Sequence, residues 1–235
     1  MTVTVDVVTE IEDATPADPE ANNHAAGTPK GVAVFVGTNN EDTERITGIT
    51  YGGVAMTKVQ YAYNQVAAPS AGNAYLYFLG ASVPSGTQSV SIAGLRSTRA
   101  AQIVIVSFDA AGDLEVVDSD LVEDAGSTSA SVVLSYASRT CMAFGGMVTS
   151  EAVVGNSTVL SGMTALHDYD FGARVALASR ETTAQASDFT FGWTDSGTNS
   201  HALVAMAISE IVLSGDGRQN FIGGMTANLS GGMSS

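Results

Sequence analysis

The chain has 235 residues, of which 24 are Asp or Glu and 9 are Lys or Arg, so its formal net charge is −15. Such a surface repels phosphate backbones and anionic membranes, because it lacks the basic patch that displaces counterions. The composition therefore predicts neither a nucleic-acid nor a membrane partner. Hydrophobic residues make up 45% of the chain, which is enough apolar material for a folded core.

The single cysteine, Cys141, stands in an apolar run and can form neither an internal disulfide nor a Cys-based zinc site. We predict that it is a small buried hydrophobic residue. The N-terminus shows no basic region followed by an apolar one, as a signal peptide would. No stretch approaches the ~20 apolar residues that span a bilayer. We therefore expect synthesis in a cytoplasm without export by the general secretory route.

The first thirty residues divide into a strand and a polar segment. Residues 2–8 alternate, with Val3, Val5 and Val7 on one face, which predicts a half-buried strand. Residues 9–30 are polar and contain three prolines, which predicts an extended arm or linker without a folded element. The body is predicted to start at residue 31, where GVAVFVG forms a continuous β-branched and aromatic run of strand length.

The same rhythm of short apolar runs and Gly, Pro or Ser turns continues through the body, with little helical period. It predicts an all-β, antiparallel β-sandwich or barrel. Residues 119–126 are a short acidic segment that could form a helix, and the Gly/Met-rich tail over 215–235 lacks a strand-length run. The further strands are predicted at 46–50, 54–61, 74–79, 88–92, 102–108, 114–118, 130–136, 141–148, 174–178, 189–193 and 202–209.

No motif for phosphate binding, nucleophilic catalysis or zinc binding is present, and we predict no catalytic, cofactor-binding or metal-ligating residue. His24, His167 and His201 lack the spacing of metal ligands. The segment 167–170, His-Asp-Tyr-Asp, could bind a saccharide or Ca²⁺, but we favour a solvated loop between strands. The acids between 109 and 124 are predicted to form a hydrated face. Trp193 is predicted to face the core, the alternative being a sugar-stacking platform.

Several segments carry a family resemblance. After the apolar strand at 31–37, residues 49–57 read ITYGGVAMT, residues 84–90 read PSGTQSV, and residues 189–209 read FTFGWTDSGTNSHALVAMAIS. This order resembles a β-sandwich module of tailed-bacteriophage structural proteins, over roughly residues 31–210. The resemblance implies a jelly-roll-like sandwich and a role in the virion, and it implies no active site. It leaves the extended N-terminal arm and the Gly/Met-rich C-terminal tail uncovered.

These observations lead to three hypotheses of function. The first is a structural component of a phage virion, a capsid-surface decoration or a head or tail appendage, which is not an enzyme. Its partners would be copies of itself and other virion proteins, such as major capsid or tail proteins. An arm over 1–30 and a tail over 215–235 would anchor a domain over 31–214. The second is a carbohydrate- or receptor-binding module that binds host-surface glycan, and the third, the weakest, is a glycan hydrolase.

Overall fold

The computed structural model describes residues 2–39, 43–64, 72–150, 155–171 and 175–211, and these residues form strands and turns without a helix. All strand pairs are antiparallel, so the prediction of an all-β antiparallel fold is confirmed. No helix that could cross a membrane occurs in the described part of the chain. The strands are β1 (Thr4–Asp13), β2 (Glu20–Ala25), β3 (Gly31–Asn39), β4 (Gly48–Tyr51), β5 (Val54–Ala55), β6 (Thr57–Tyr63), β7 (Gly72–Leu79), β8 (Thr87–Ala93), β9 (Ala101–Asp109), β10 (Leu114–Leu134), β11 (Met142–Thr149), β12 (Ser157–Val159), β13 (Met163–Asp170), β14 (Val175–Glu181) and β15 (Phe189–Glu210).

The strands form three sheets. Sheet A has the order β1-β9-β3-β7-β6, and sheet B has the order β2-β8-β4-β5. Sheet C has the order β10-β15-β11-β14-β13, with β12 paired to the first part of β15. Strands far apart in sequence are neighbours in space: β1 pairs with β9, and β10 pairs with β15 along nearly the whole of both strands.

Sheets A and C pack face to face around one apolar core. Phe35 and Val104 of sheet A share this core with Phe144 and Val204 of sheet C. The next residues along the same strands point the other way, so that Val34 packs against sheet B. Because both faces of both central sheets are buried, the inner strands β3, β7, β9, β11 and β14 are buried at almost every position and do not alternate between exposed and buried residues. This explains the continuous runs that mark them in the sequence.

The second half of β10 and the first half of β15 form a further layer over the outer face of sheet C. Register shifts between Asp124 and Ser129 bend the paired strands β10 and β15, and the part beyond the bend packs onto β11 and β14. Leu134, Phe191 and Trp193 fill the space beneath. We call residues 129–134 of β10, residues 189–195 of β15, and β12 the outer layer.

A β-bulge interrupts each edge strand of the two central sheets. One additional residue stands in β1 between Val5 and Val7, and β6, β10 and β13 carry the same irregularity. The inner ladders of both sheets keep a regular register. Bulges on edges twist the exposed backbone away from a straight template and so discourage pairing with other chains. The additional residues are Asp6, Val59, Val117 and Leu166.

The structure corrects several predictions. Residues 9–30 are not a linker, because β1 continues to Asp13 along β9 and β2 pairs with β8 in sheet B. The bulge in β1 also changes its core face, so that Val3, Val5 and Val8 pack inward in place of Val3, Val5 and Val7. Residues 119–126 belong to β10, which rules out a helix there. The predicted tail over 215–235 lies outside the described residues.

Candidate functional site

Polar side chains bridge the gap between sheets A and C on both of its open sides. On the side of β6 and β10, Gln60 Nε2 donates to Ser119 Oγ at 3.1 Å, and the Tyr63 N–H donates to Glu123 Oε1 at 3.1 Å. Such bridges satisfy edge groups locally and fix the distance between the two sheets.

On the opposite side of the gap, the edge strand β1 of sheet A meets the edge strand β13 of sheet C. His167 of β13 reaches across to β1, where Nδ1 lies 3.2 Å from Glu10 Oε2 and Nε2 lies 2.9 Å from Glu12 Oε1. Asp168 and Asp170 follow on the same strand. The prediction of a loop over 167–170 is therefore wrong, because these residues form the edge strand of sheet C and hold it to sheet A. We call this set of residues the β1–β13 seam.

Burial and charge shift two groups of the β1–β13 seam. Burial raises the pKa of Asp168 above its usual value, and His167 opposes that rise. Burial, followed by the nearby carboxylates of Glu12 and Asp13, raises the pKa of Tyr169. The Tyr169 ring meets the ring of Phe171 edge-on at 5.0 Å. Carboxylates beside an aromatic ring can accept hydrogen bonds from sugar hydroxyls. No group of three His, Cys, Asp or Glu in the described residues could hold a metal ion.

A second polar cluster surrounds Asp195 in the bend of β15. Asp195 Oδ2 accepts hydrogen bonds from Thr149 Oγ1 at 2.9 Å and Asn199 Nδ2 at 3.1 Å, and it lies 2.9 Å from His201 Nε2. The other oxygen accepts from Ser157 Oγ at 2.6 Å. Burial alone would raise the pKa of Asp195, but the hydrogen bonds from His201, Ser157 and Thr149 outweigh it and hold the pKa below its usual value.

The geometry of the Asp195 cluster indicates a structural role and not a catalytic one. The side chains of Asp195 and His201 are both fully buried, so no substrate reaches them. A nucleophilic serine must donate to a histidine that is held by a carboxylate, whereas Ser157 here donates directly to the carboxylate. Because a carboxylate only accepts hydrogen bonds, His201 must carry its proton on Nε2. The cluster joins the bend of β15 to the end of β11 and to β12.

A third buried carboxylate, Glu181, ends β14. Tyr136 donates its hydroxyl proton to Glu181 Oε2 at 2.5 Å, and the Ala143 N–H donates to the same oxygen at 3.1 Å. Burial raises the pKa of Glu181, although these two donors oppose the rise. The neighbouring thiol of Cys141 is fully buried, as predicted, and burial raises its pKa to about 11, so it is a poor nucleophile.

The remaining predicted residues are dispersed. Trp193 is 1% exposed and meets Phe191 edge-on at 5.4 Å, which confirms its place in the core and excludes a sugar platform there. The acids between 109 and 124 do not form one band, since Asp118 accepts from the Ser135 N–H and Glu123 accepts from Tyr63. His24 is buried, with Nδ1 2.8 Å from Thr9 Oγ1.

Sequence reasoning did not find the contacts of His167 with β1 or the Asp195 cluster. Glu10 and Glu12 lie more than 150 positions before His167, and Thr149 lies far from Asp195 in the chain. A signal exists only for Asp195, which is the one Asp, Glu, Lys or Arg between residues 189 and 209.

No family model, curated protein or solved structure matches this chain.

Proposed function

We propose that the protein is a structural component of a phage virion, a capsid-surface decoration or minor head protein that acts by subunit assembly. In this proposal the stacked layers are a β-sandwich of jelly-roll-like type, and the chain is made in the host cytoplasm and carried in the particle. The resemblance of residues 31–210 to tailed-phage modules is its first support. The proposal assigns the protein no enzymatic activity.

One observation carries the proposal beyond the resemblance. The two central sheets bury both faces, each of their edge strands carries a bulge, and polar bridges join the two sheets on both open sides. This arrangement gives a rigid unit whose sheet edges resist uncontrolled pairing at high local concentration. The acidic surface adds colloidal stability. A protein packed in many copies on a particle needs both properties.

The experiment is to find the protein in particles. Particles from a culture that produces this chain are banded in a density gradient, washed at high salt and probed with antibody against the chain. We expect the chain to band with intact particles and to survive the wash, and immunogold labelling then separates head from tail. Recovery only in the soluble fraction would refute the proposal.

A second test uses the isolated protein. A body that starts at residue 31 would lack β1 and β2, which are paired in sheets A and B, so only the residues after 211 should be removed. If the C-terminal residues anchor the subunit, light scattering will give a larger mass for the full chain than for the shortened one. Equal masses would remove the C-terminal segment from the assembly mechanism.

The alternative proposal is a glycan- or receptor-binding module. The observation that favours it is the partly exposed Tyr169 ring between Asp168 and Asp170 at the β1–β13 seam. On a glycan array, binding by the full chain that disappears in Tyr169→Ala would support this alternative. Thr164→Ala, a change on the same strand away from the aromatic pair, is the matched control.

A further inference from the structure

The outward face of the outer layer carries no charged side chain. In β10 the exposed residues are Ser129, Ser131 and Val133, and the whole segment 125–138 contains no Asp, Glu, Lys or Arg. The exposed residues of the neighbouring strands, Thr190, Thr194 and Thr158, are also uncharged. In a chain of net charge −15, this face is one where two copies can meet without like-charge repulsion.

The same layer has an open and regular strand edge. In the described residues β10 pairs with β15 alone, and its register from Ser129 to Leu134 has no shift. It therefore differs from the bulged edges of sheets A and C. Val133 is 61% exposed, more than any other large hydrophobic residue in the described part of the chain. An uncharged, regular edge with an exposed β-branched residue is a template for strand pairing.

The orientation of the peptide groups on this edge follows from β12. The Leu160 N–H donates to the Gly192 carbonyl at 3.1 Å, and the Gly192 N–H donates to Met163 Sδ at 3.4 Å, so both peptide groups of Gly192 turn away from β10. Peptide groups alternate along a strand, and Phe191 and Trp193 therefore face β10, where they pair with Val132 and Ala130. The N–H and C=O groups of Ser131 and Val133 must then point away from β15.

Side chains of the protein itself cap both ends of this outward edge. The Ser129 N–H donates to Ser127 Oγ at 3.2 Å, and the Ser135 N–H donates to Asp118 Oδ2 at 2.7 Å. Between these caps, the outward peptide groups of Ser131 and Val133 have no hydrogen-bond partner among the described residues. The unpaired stretch is thus short and has defined ends.

We propose that a second copy of this chain pairs with that edge, antiparallel and about a two-fold axis at Val132. In this register Ser131 of one copy lies opposite Val133 of the other, and the four outward peptide groups of each copy can form about four hydrogen bonds across the axis. The contact is self-complementary, as a two-fold interface requires. It extends the outer layer from three strands to a continuous layer of six. The inference gives a surface to the subunit assembly proposed above and rests on that proposal for its place in a particle.

Cysteine pairs test the register. Opposite residues of a hydrogen-bonded pair have Cα atoms about 5.5 Å apart, within disulfide reach. A residue of one copy and the same residue of the other copy lie diagonally across the two strands, with their Cα atoms about 7–8 Å apart, beyond that reach. We expect an oxidised mixture of Ser131→Cys and Val133→Cys proteins to give covalent dimers, while each variant alone does not. Cys141 is fully buried and does not compete. No dimer in the mixture, or equal dimer from Ser131→Cys alone, overturns the proposal.

Mass measurements test the surface. We expect Val133→Glu to weaken association at least about tenfold, because it places carboxylates in the contact. Val54→Glu, at an exposed valine of sheet B, is the matched control and should leave association unchanged. Unaltered Trp193 fluorescence will show that Val133→Glu folds. The proposal is overturned if association survives Val133→Glu. It is also overturned if association is lost only in Asn23→Asp, a change on the edge strand β2. If the Val133→Glu protein still associates and the wild-type chain still binds particles, the proposed virion role stands and only this contact surface is refuted.

Discussion

Replacing Asp195 with asparagine removes one charge from the centre of the bend in β15. The amide oxygen can still face Thr149, Asn199 and His201, and the Ser157 hydroxyl can rotate to accept from the new NH₂ group. Thr149, Asn199 and His201 then keep their hydrogen bonds, but the acceptor of these bonds is no longer charged. A hydrogen bond to a charged group contributes about 1.5–3 kcal/mol and a neutral one about 0.5–1.5, so each loses about 1 kcal/mol. We expect Asp195→Asn to lower the free energy of unfolding by about 3 kcal/mol.

Urea unfolding followed by Trp193 fluorescence measures this loss, since Trp193 is the one tryptophan and lies two residues from Asp195 in the same buried layer. Asp113→Asn is the matched control, because it removes the same charge from an exposed position. A loss below about 1 kcal/mol, or an equal loss in the control, would contradict the view that the cluster holds the bend.

The Asp195 cluster is also expected to make the free energy of unfolding depend on pH in the acid range. The pKa of Asp195 is lower in the folded protein than in the unfolded chain. The stability it contributes is therefore fully present above the unfolded pKa of about 3.9 and is lost as the pH falls through the folded value. The difference between wild type and Asp195→Asn should shrink as the pH falls below about 4. A difference that stays constant as the pH falls well below about 4 would show that the carboxylate charge is not the cause.

Three further predictions concern other parts of the fold. Burial lowers the pKa of His24, which opposes protonation in the folded state, so stability should be full above the unfolded pKa of about 6.5 and fall below it. Calorimetry from pH 7.5 to 5 should show a smaller decline in Tm for His24→Gln, and parallel declines would refute this. A methyl group at Gly146 would overlap the ring of Phe35 between sheets A and C, so Gly146→Ala should cost about 1–3 kcal/mol in urea unfolding. Gly126→Ala, whose methyl group would make only an ordinary contact with Thr198 Cγ2 at 3.6 Å, should cost far less, and equal costs would contradict the close approach. His167→Ala should lower the free energy of unfolding by no more than about 1 kcal/mol, because its carboxylate partners are partly exposed. It should nevertheless speed hydrogen exchange in β1 and β13, and unchanged exchange there would show that His167 does not hold the seam.

The strands of the central sheets could be predicted because their signal is local. A run such as 101–109 is apolar on both faces, and a strand of the right length is the simplest explanation. Edge strands are harder to predict from the sequence. β2 reads EANNHA and β13 reads MTALHDYD, and both are strands because of their neighbours, β8 and β14, and not because of their own composition. Tertiary pairing outweighed local preference in both.

The candidate sites were less predictable than the fold. The burial of Trp193 follows from the alternation of large aromatic residues, which is a local pattern. The contacts of Asp195 depend on a bend in β15 that brings Thr149 and Ser157 to it, and bends arise from register shifts that the sequence does not mark. The bridge from His167 to Glu10 requires two sheet edges to meet.

The pairing of β10 with β15 also determines when the molecule can be completed during synthesis. Leu114 pairs with Glu210, which leaves the ribosome roughly 100 residues later. At about 5–20 residues per second, Leu114 waits roughly 5–20 s for its partner, and Leu134, which pairs with Phe189, waits roughly 3–11 s. During that interval both of its edges are open, and Val133 stands on one of them. We therefore expect nascent chains to depend on chaperones most strongly between the emergence of β10 and that of β15, and ribosome profiling with a chaperone pull-down would locate this window.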